Sequence, residues 1–438
     1  MELNAVVDSY MASETLEERQ KYALEFIAAV QTLHIVIYGA GAVGCSLLYS
    51  LRRQGIEPLF FVDRRWQECS SLDGAALQSP KALENVNNRG TLVIMAINAE
   101  VIREFNHEPI ENIRKYCPDA AVLYTGIHVN SLLRFADCFS KLERGAAFDL
   151  VECLNCGAET ELCHIYREYL FQIAPGRKRL AKVPSKKFDW FGYIMGQHCS
   201  LKCRDCCECV PYFKDPVFSE CSTILSDCSK IAASCEFIRY IELVGGEPFL
   251  HPQFQQVLEG LLQIENVGYI KIFTNGTIVP KDGLLNILKD PRIVLNVSNY
   301  TAQAKGRLLE NIYKTMSLLN ENGIRYVYSE SKEWTDWGGF HDRGRTEEQL
   351  IENFSHCFIA NCHRVFQGKL YRCPRQYAGI QQGKMELTEG EYVDLNRCAS
   401  EDLARELDAF EELLFTDGCR RCDMPFDCPV IPAGIQLD

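Results

Sequence analysis

The sequence lacks any apolar run long enough to cross a membrane. A membrane helix needs about 18 or more apolar residues with few charges, and every apolar stretch in this chain of 438 residues is shorter. Its first twenty residues also lack the apolar core and the cleavage site of a secretory signal. We therefore expect a soluble, cytoplasmic protein without a membrane partner.

Positive charge is in short supply as well. The chain has 46 lysines and arginines against 59 aspartates and glutamates, a net charge of −13. Proteins that hold nucleic acid normally carry basic patches, so we expect no nucleic-acid partner.

Internal repeats and low-complexity tracts are also missing. The length predicts two or three ordinary domains.

Cysteine is abundant, with 22 residues. Without an export signal, disulfides are not the expected use of so many thiols. Several cysteines lie two or three residues apart, which favours ligation of a metal or a cluster. Because 47% of the residues are apolar, the chain can bury a core without metal. Any cluster is therefore expected to do chemistry.

The first third of the sequence alternates helices and strands. Thr15 and Glu18 form a capping-box pattern that opens a helix to about residue 30. Buried strands are predicted at residues 33–38, 59–62, 92–96 and 121–124. This order predicts a Rossmann-like parallel sheet over residues 1–145.

A glycine-rich turn follows the first of these strands. Gly39-x-Gly41-x-x-Gly44, with Asp63 further on, has the spacing of a dinucleotide-binding fingerprint. The stretch from Gly39 to Pro80 also resembles a Rossmann-like module of capsule and saccharide biosynthesis proteins, in which this turn need not hold NAD. We therefore expect a nucleotide sugar or a structural role here, and no NAD.

Residues 146–188 interrupt the alternation and are interpreted as a cysteine-containing linker. Cys153, Cys156 and Cys163 are either a zinc site or free thiols.

A second alternating series occupies residues 189–345. Its predicted strands are 191–195, 240–244, 269–273, 293–297 and 326–328, and its predicted helices are near 217–235, 253–263 and 304–321. We predict a partial (β/α)6 barrel, with its site in the loops that follow the strands. Cys221, Cys228 and Cys235 recur on one helix face and are expected to pack in the core.

Three cysteines follow the first strand of this series in the pattern Cys199-x3-Cys203-x2-Cys206. Three thiolates in one tight loop can each bind a different iron of a [4Fe–4S] cluster, which normally takes four cysteines. The fourth iron would then be open to a small molecule. The alternative is a zinc knuckle completed by His198, Cys207 or Cys209.

With these cysteines and the motifs downstream, residues 190–345 resemble the radical S-adenosylmethionine (SAM) superfamily. Gly245-Gly246-Glu247-Pro248 matches its GGEP motif, which in that family holds the methionine amino group of SAM. Asn275 and Ser298 follow the third and fourth strands, where that family contacts the nucleoside. Asp205 departs from the aromatic or apolar residue that many members have before the third cysteine.

The resemblance implies reductive cleavage of SAM to a 5′-deoxyadenosyl radical, which takes a hydrogen from the substrate. It also implies an electron donor such as flavodoxin or ferredoxin.

A second cysteine set lies in residues 346–438. Cys357-x10-Gly368-x4-Cys373 and Cys419-x2-Cys422-x5-Cys428 resemble the SPASM or twitch domain of the same superfamily, which holds auxiliary clusters. A full SPASM domain needs a further cysteine where this chain has Pro432. We expect one auxiliary [4Fe–4S] cluster on Cys357, Cys373, Cys419 and Cys422, with Cys362 and Cys428 as spare ligands. The alternative is a zinc ribbon.

These features predict a radical SAM oxidoreductase that acts on a saccharide or a nucleotide-linked small molecule. The auxiliary cluster would accept an electron from the substrate radical. Aromatic and charged residues from Trp334 to Arg343 are a candidate substrate-facing loop. Two alternatives are a peptide-modifying radical enzyme and a zinc-binding protein without catalysis.

Overall fold

The computed structural model describes residues 3–13, 15–97, 108–124, 126–143, 188, 190–324, 326–329, 333–398 and 402–437. The chain divides into two compact units, Met1–Tyr169 and Leu170–Asp438. Each contains a sheet built mainly from parallel strands, so the predicted α/β class is confirmed. Among the described residues no helix is both long and apolar enough to cross a membrane. The division into four segments stays a prediction.

The first unit is a sheet covered by helices on both faces. Its strands are β1 (His34–Tyr38), β2 (Phe60–Val62), β3 (Ser71–Leu72), β4 (Ala75–Gln78), β5 (Thr91–Met95) and β6 (Ala121–Leu123). Its described α-helices are Leu3–Ala12, Leu16–Val30, Ala42–Arg53, Glu108–Tyr116 and Gly126–Glu143. Along β1, Ile35 and Ile37 pack in one core while Val36 and Tyr38 pack in another. Successive strand residues point to opposite faces, so a strand buried on both sides is apolar throughout.

Strands of this unit run in the order β3-β4-β2-β1-β5-β6, with β1, β2, β4, β5 and β6 parallel. The chain order reverses next to β1, which is the switch point of a Rossmann-like sheet. Gly39 turns there with φ +104°, and a side chain on Gly44 would meet the Gly39 carbonyl oxygen at 2.1 Å.

Asp63 stabilises this turn directly. Its carboxylate accepts hydrogen bonds from the Ala40 backbone N–H at 2.8 Å and from the Arg65 side chain at 3.1 Å. Both oxygens are therefore already bonded within the protein. That no NAD is bound stays a prediction.

The second unit holds ten strands and eight α-helices among its described residues. The strands are β7 (Trp190–Ile194), β8 (Ile238–Val244), β9 (Val267–Thr274), β10 (Ile293–Ser298), β11 (Tyr326–Ser329), β12 (Glu333–Thr335), β13 (Arg364–Phe366), β14 (Lys369–Tyr371), β15 (Tyr392–Asp394) and β16 (Val430–Pro432). The helices are Cys221–Ala233, Phe254–Leu261, Asp282–Ile287, Arg307–Glu321, Glu347–Ser355, Pro374–Gln381, Leu403–Glu411 and Asp417–Arg420.

The main sheet of the second unit runs β11-β10-β9-β8-β7-β13-β14-β15. Strands β7 to β11 are parallel in chain order, as a partial barrel requires. A sixth parallel strand, β13, lies beside β7 and not beyond β11. It comes from the predicted auxiliary segment, so that segment continues the barrel sheet through the β13–β14 hairpin.

Cys228 and Cys235 are fully buried in the main core, and Cys221 packs against it. Their predicted role in packing is confirmed. Two further strands, β12 and β16, form a separate antiparallel ribbon.

Arg292, directly before β10, connects this strand with the start of β9 and with the residues that precede β9. Its buried guanidinium donates to the carbonyl oxygens of Leu262, Ile264, Val267 and Gly268 at 2.7–3.4 Å. Because water cannot replace these bonds, we expect Arg292→Met to destabilise the second unit by about 2–3 kcal/mol. Thermal unfolding followed by circular dichroism should show a midpoint lower by roughly 5 °C. Arg405→Met is the control, since that side chain is 81% exposed, and an equal loss in both variants would contradict the role of Arg292.

Candidate functional site

The carboxyl ends of the barrel strands surround one cavity of about 690 Å³. The cysteine loop follows β7, the Gly-Gly turn follows β8, Asn275 follows β9 and Ser298 ends β10. The predicted site residues that line the cavity are Cys199, Cys203, Cys206, Gly245, Gly246, Asn275 and Ser298. Neighbouring parallel strands bring their ends to one edge of a sheet, so residues a hundred positions apart in sequence meet here.

The Gly-Gly turn lies directly against the backbone that leads into the cysteine loop. Gly246 N–H donates to the Gly196 carbonyl at 2.9 Å, and Glu247 N–H donates to the His198 carbonyl at 2.8 Å. A Cβ on Gly246 would be 1.8 Å from the His198 oxygen, and Gly245 has φ +122°. Only glycine permits this approach. The motif therefore positions the cysteine loop as well as lining the cavity.

Glu247 does not line the cavity. Its carboxylate is 2% exposed and accepts hydrogen bonds from the Thr274 hydroxyl at 2.7 Å, the Asn275 N–H at 2.8 Å and the Phe249 N–H at 3.2 Å. Burial raises its pKa to about 7. The carboxylate thus connects the ends of β8 and β9. Its predicted contact with the methionine amino group stays a prediction, and Pro248 beside it is buried in a short turn.

Several N–H groups point at the sulfurs of the cysteine loop. Cys199 Sγ accepts from the Leu201 N–H and from the Asn275 side-chain amide, both at 3.5 Å. Cys203 Sγ accepts from the Gln436 amide at 3.1 Å. Hydrogen bonds to sulfur are a feature of iron–sulfur ligation, so the donor set fits a cluster. Asn275 contacts the cysteine loop in this structure, whereas the resemblance predicted a nucleoside contact.

Burial raises the pKa of the Cys199 thiol to about 12. Among the described residues no three Cys, His, Asp or Glu side chains converge as they would around a single ion. A zinc ion holds its sulfurs at about 2.3 Å, all around one point, whereas a cubane spreads its thiolates over separate irons. The preference for a cluster over the zinc knuckle stays a prediction.

One wall of the cavity is charged. Arg364 Nε lies 2.6 Å from Glu208, and its Nη1 lies 3.9 Å from Glu242. Lys271 pairs with Glu242 at 3.2 Å. Glu208 Oε2 is buried and has no hydrogen-bond partner among the described residues. Gly192 leaves the space for Arg364, since a Cβ there would be 2.7 Å from its Nη1. The sequence analysis missed this network because its members come from four separate strands or loops.

Another part of the cavity lining is aromatic. Trp334 and Trp337 of the predicted substrate-facing loop line the cavity together with Tyr300. Arg343 of the same loop instead pairs with Asp423 at 2.7 Å. The loop therefore contributes its two tryptophans to the cavity, while its arginine fixes its position.

The second cysteine set forms a separate site. Cys357, Cys373, Cys419 and Cys422 line one small cavity. These are the four ligands expected from the twitch arrangement. Cys362 and Cys428 do not line it, and both pack against the neighbouring apolar cluster of Ile359, Cys422 and Met424.

Arginines surround this second site. Arg375 and Arg372 line the same cavity. Arg375 donates to the carbonyl oxygens of Gly338, Gly339 and Arg421 at 2.7 Å and has its guanidinium 3.7 Å from the Phe340 ring centre. Four thiols next to a buried cation suit an anionic group such as a cluster held by four thiolates. The residues present therefore fit an auxiliary cluster. Cys153, Cys156 and Cys163 lie outside the described residues.

Comparisons with solved structures find similarity over about half of this chain. BtrN in complex with AdoMet and 2-DOIA is 16% identical, with a TM-score of 0.36, over 55% of this chain and 94% of BtrN. anSMEcpe with bound AdoMet and the Cp18Cys peptide is 11% identical, with a TM-score of 0.32, over 54% of this chain and 88% of anSMEcpe.

Streptococcus suis SuiB bound to S-adenosylmethionine is 17% identical, with a TM-score of 0.27, over 52% of this chain and 49% of SuiB. The matched part thus spans about half the length of SuiB. No family model and no curated protein sequence match this chain. A shared function does not follow from similarity at this level, and the residues of the site have to indicate it.

Substitution of Gly246 tests whether the Gly-Gly turn positions the cysteine loop. In Gly246→Ala the new methyl group would meet the His198 carbonyl at 1.8 Å, so the loop must move. We expect a loss of stability above about 2 kcal/mol and poor retention of iron after anaerobic reconstitution. Gly339→Ala is the matched control, because the nearest atom to its Cβ is 3.5 Å away. Full iron content in Gly246→Ala would contradict this role.

Proposed function

We propose that this chain is a radical SAM enzyme of the oxidoreductase type. The observation that carries the proposal is the convergence of the Cys199-x3-Cys203-x2-Cys206 loop, the Gly-Gly turn and the ends of β9 and β10 on one cavity. Neither motif is specific alone, but their arrangement around a single cavity is what SAM cleavage at a cluster needs.

In this proposal Cys199, Cys203 and Cys206 would hold a [4Fe–4S] cluster. Once bound, the cluster supplies the electron that cleaves SAM to a 5′-deoxyadenosyl radical. Gly245, Gly246 and Ser298 line the proposed place for SAM. The aromatic residues Trp334, Trp337 and Tyr300, which line the cavity, exclude water from the radical. A small protein such as flavodoxin or ferredoxin is the proposed electron donor.

The cavity wall supports a small polar substrate. The cavity of about 690 Å³ has to hold the cluster and SAM as well as the substrate, so the space left for the substrate is that of a small molecule. The carboxylates of Glu208 and Glu242 and the guanidinium of Arg364 can bond hydroxyl groups, and Trp334 and Trp337 can pack against a ring. We propose a saccharide or a nucleotide-linked small molecule. The first unit would then hold a nucleotide-containing ligand at its glycine turn.

The second cysteine site supports an oxidation. Arg372 at this site is paired with Glu411, but Arg375 donates to backbone carbonyl oxygens. Its charge beside the four thiols favours the added negative charge of a reduced cluster. In the SAM-side cavity the Arg364 guanidinium is instead paired with Glu208, so its charge is compensated. This difference in charge favours electron transfer from the substrate radical to the auxiliary cluster. The product would have lost one hydrogen atom, one proton and one electron.

The formation of 5′-deoxyadenosine tests the proposal. Anaerobic, dithionite-reduced protein should release this nucleoside from SAM, and Cys203→Ala should abolish its formation because the cluster loses a ligand. Cys228→Ala is the matched control, since Cys228 is fully buried in the core of the barrel and should not affect the reaction. A panel of nucleotide sugars and short peptides identifies the substrate class by stimulation of turnover. The absence of the nucleoside from protein loaded with iron and sulfide would contradict the proposal.

Removal of an auxiliary ligand tests the second part. We expect Cys373→Ala to lose about half of the bound iron, to keep 5′-deoxyadenosine formation and to lose the oxidised product. Cys428→Ala should keep its full iron content, because Cys428 does not line the four-cysteine cavity. Equal iron loss in both variants would contradict this assignment of Cys373 as a ligand and Cys428 as a spare cysteine. Zinc in place of iron at this site would contradict an auxiliary cluster.

A further inference from the structure

Residues 433–437 pair with the cysteine loop through one antiparallel β-bridge. Arg204 N–H donates to the Ile435 carbonyl, and Leu437 N–H donates to the Lys202 carbonyl, both at 2.8 Å. Cys203 and Gln436 are direct partners across this bridge. The central cysteine of the loop is therefore held by residues more than two hundred positions later in the sequence.

Gln436 places its side-chain amide on the Cys203 sulfur. Its Nε2 donates to Cys203 Sγ at 3.1 Å and to the Gly434 carbonyl at 2.7 Å. Its Oε1 accepts the Lys202 backbone N–H at 2.8 Å. An amide can be assigned in two orientations, but the Lys202 N–H requires an acceptor, which leaves the NH₂ group facing sulfur. Cys203 itself is 7% exposed, so water competes little for this bond.

The segment that carries Gln436 is held independently of the sulfur. Gln303 Nε2 donates to the Ala433 carbonyl at 3.0 Å. Gly434 turns with φ +67° so close to the Tyr300 ring that a Cβ would be 2.9 Å from it. Gln436 does not line the cavity. Its amide can therefore act on the cysteine without touching SAM or substrate.

Hydrogen bonds to ligating sulfurs tune the potentials of iron–sulfur clusters. A donor stabilises negative charge on the thiolate, and the reduced cluster is the more negative state. We propose that Gln436 is a positioning residue that raises the reduction potential of the cluster held by Cys199, Cys203 and Cys206. This inference rests on the proposed function.

The test compares two variants that loosen the same segment. Gln436→Met keeps the side-chain length but removes the N–H that faces sulfur. Gln303→Met removes a hydrogen bond to the segment and leaves the sulfur contact in place. Both proteins are reconstituted anaerobically, and the potential of each cluster is measured by a redox titration followed by electron paramagnetic resonance (EPR). The cluster in question is recognised by the change in its EPR signal when SAM is added.

We expect Gln436→Met to make the reduction of this cluster about tenfold less favourable, a shift of about 59 mV for one electron. The SAM-sensitive cluster of Gln303→Met and the auxiliary cluster of both variants should keep their wild-type reduction potentials. An unchanged potential in Gln436→Met, or equal shifts in both variants, would overturn the inference. If Gln436→Met does not retain iron, Gln436→Glu replaces it in the test, because it keeps the acceptor for the Lys202 N–H. This variant must show a lower reduction potential than the wild-type protein. An unchanged potential would overturn the inference. A wild-type protein with no SAM-sensitive cluster would instead overturn the proposed function.

Discussion

The candidate active site depends on one close backbone contact, between the Gly-Gly turn after β8 and the residues that lead out of β7. The carbonyl oxygens of Gly196 and His198 accept hydrogen bonds from the backbone N–H groups of the turn. There is no space at this contact for a methyl group on Gly246. Because the two strands are parallel neighbours, their carboxyl ends are already in register. The backbone contact therefore fixes the position of Cys199 at this end of the sheet. The loop can then curve towards the cavity and present its remaining cysteines.

The two cysteine sites have different electrostatic surroundings, and this difference gives a direction to the proposed chemistry. Neutral amides from Asn275 and Gln436 reach the sulfurs of the first site, and the Arg364 guanidinium in its cavity is paired with Glu208. At the second site Arg372 is paired with Glu411, whereas the Arg375 guanidinium donates to backbone carbonyl oxygens. A cluster is a strong reductant where nearby cations do little to compensate the negative charge that it gains on reduction. A cluster next to a cation accepts an electron more readily. The same sheet carries both sites, since β13 and β14 extend the barrel beyond β7.

Much of the fold follows from local sequence patterns. The predicted strand at residues 293–297 is observed as Ile293–Ser298, and the helix predicted after Thr15 begins at Leu16 with the expected cap. Apolar β-branched runs and capping residues act over a few positions, so they can be read directly. The cysteine spacing and the Gly-Gly turn likewise identified some of the residues that line the cavity.

Contacts between distant segments could not be predicted in this way. The pairing of β13 with β7, the bond from Gln436 to Cys203, and the pair of Glu208 with Arg364 join residues 156 or more positions apart. Each residue is ordinary in its local sequence and acquires its role only from the topology. Glu247 shows the opposite case. Its motif predicted a ligand contact, whereas three donors of the protein already occupy its carboxylate.

The central claim is that the three-cysteine loop leaves one iron open to SAM. Electron–nuclear double resonance on the reduced protein, with SAM carrying ¹⁵N in its amino group, tests this claim most directly. The account predicts a ¹⁵N hyperfine coupling that disappears when unlabelled SAM is used. A reduced, fully loaded cluster whose spectrum shows no coupling to the labelled amine would contradict direct binding and, with it, the assignment of this cavity as the SAM site.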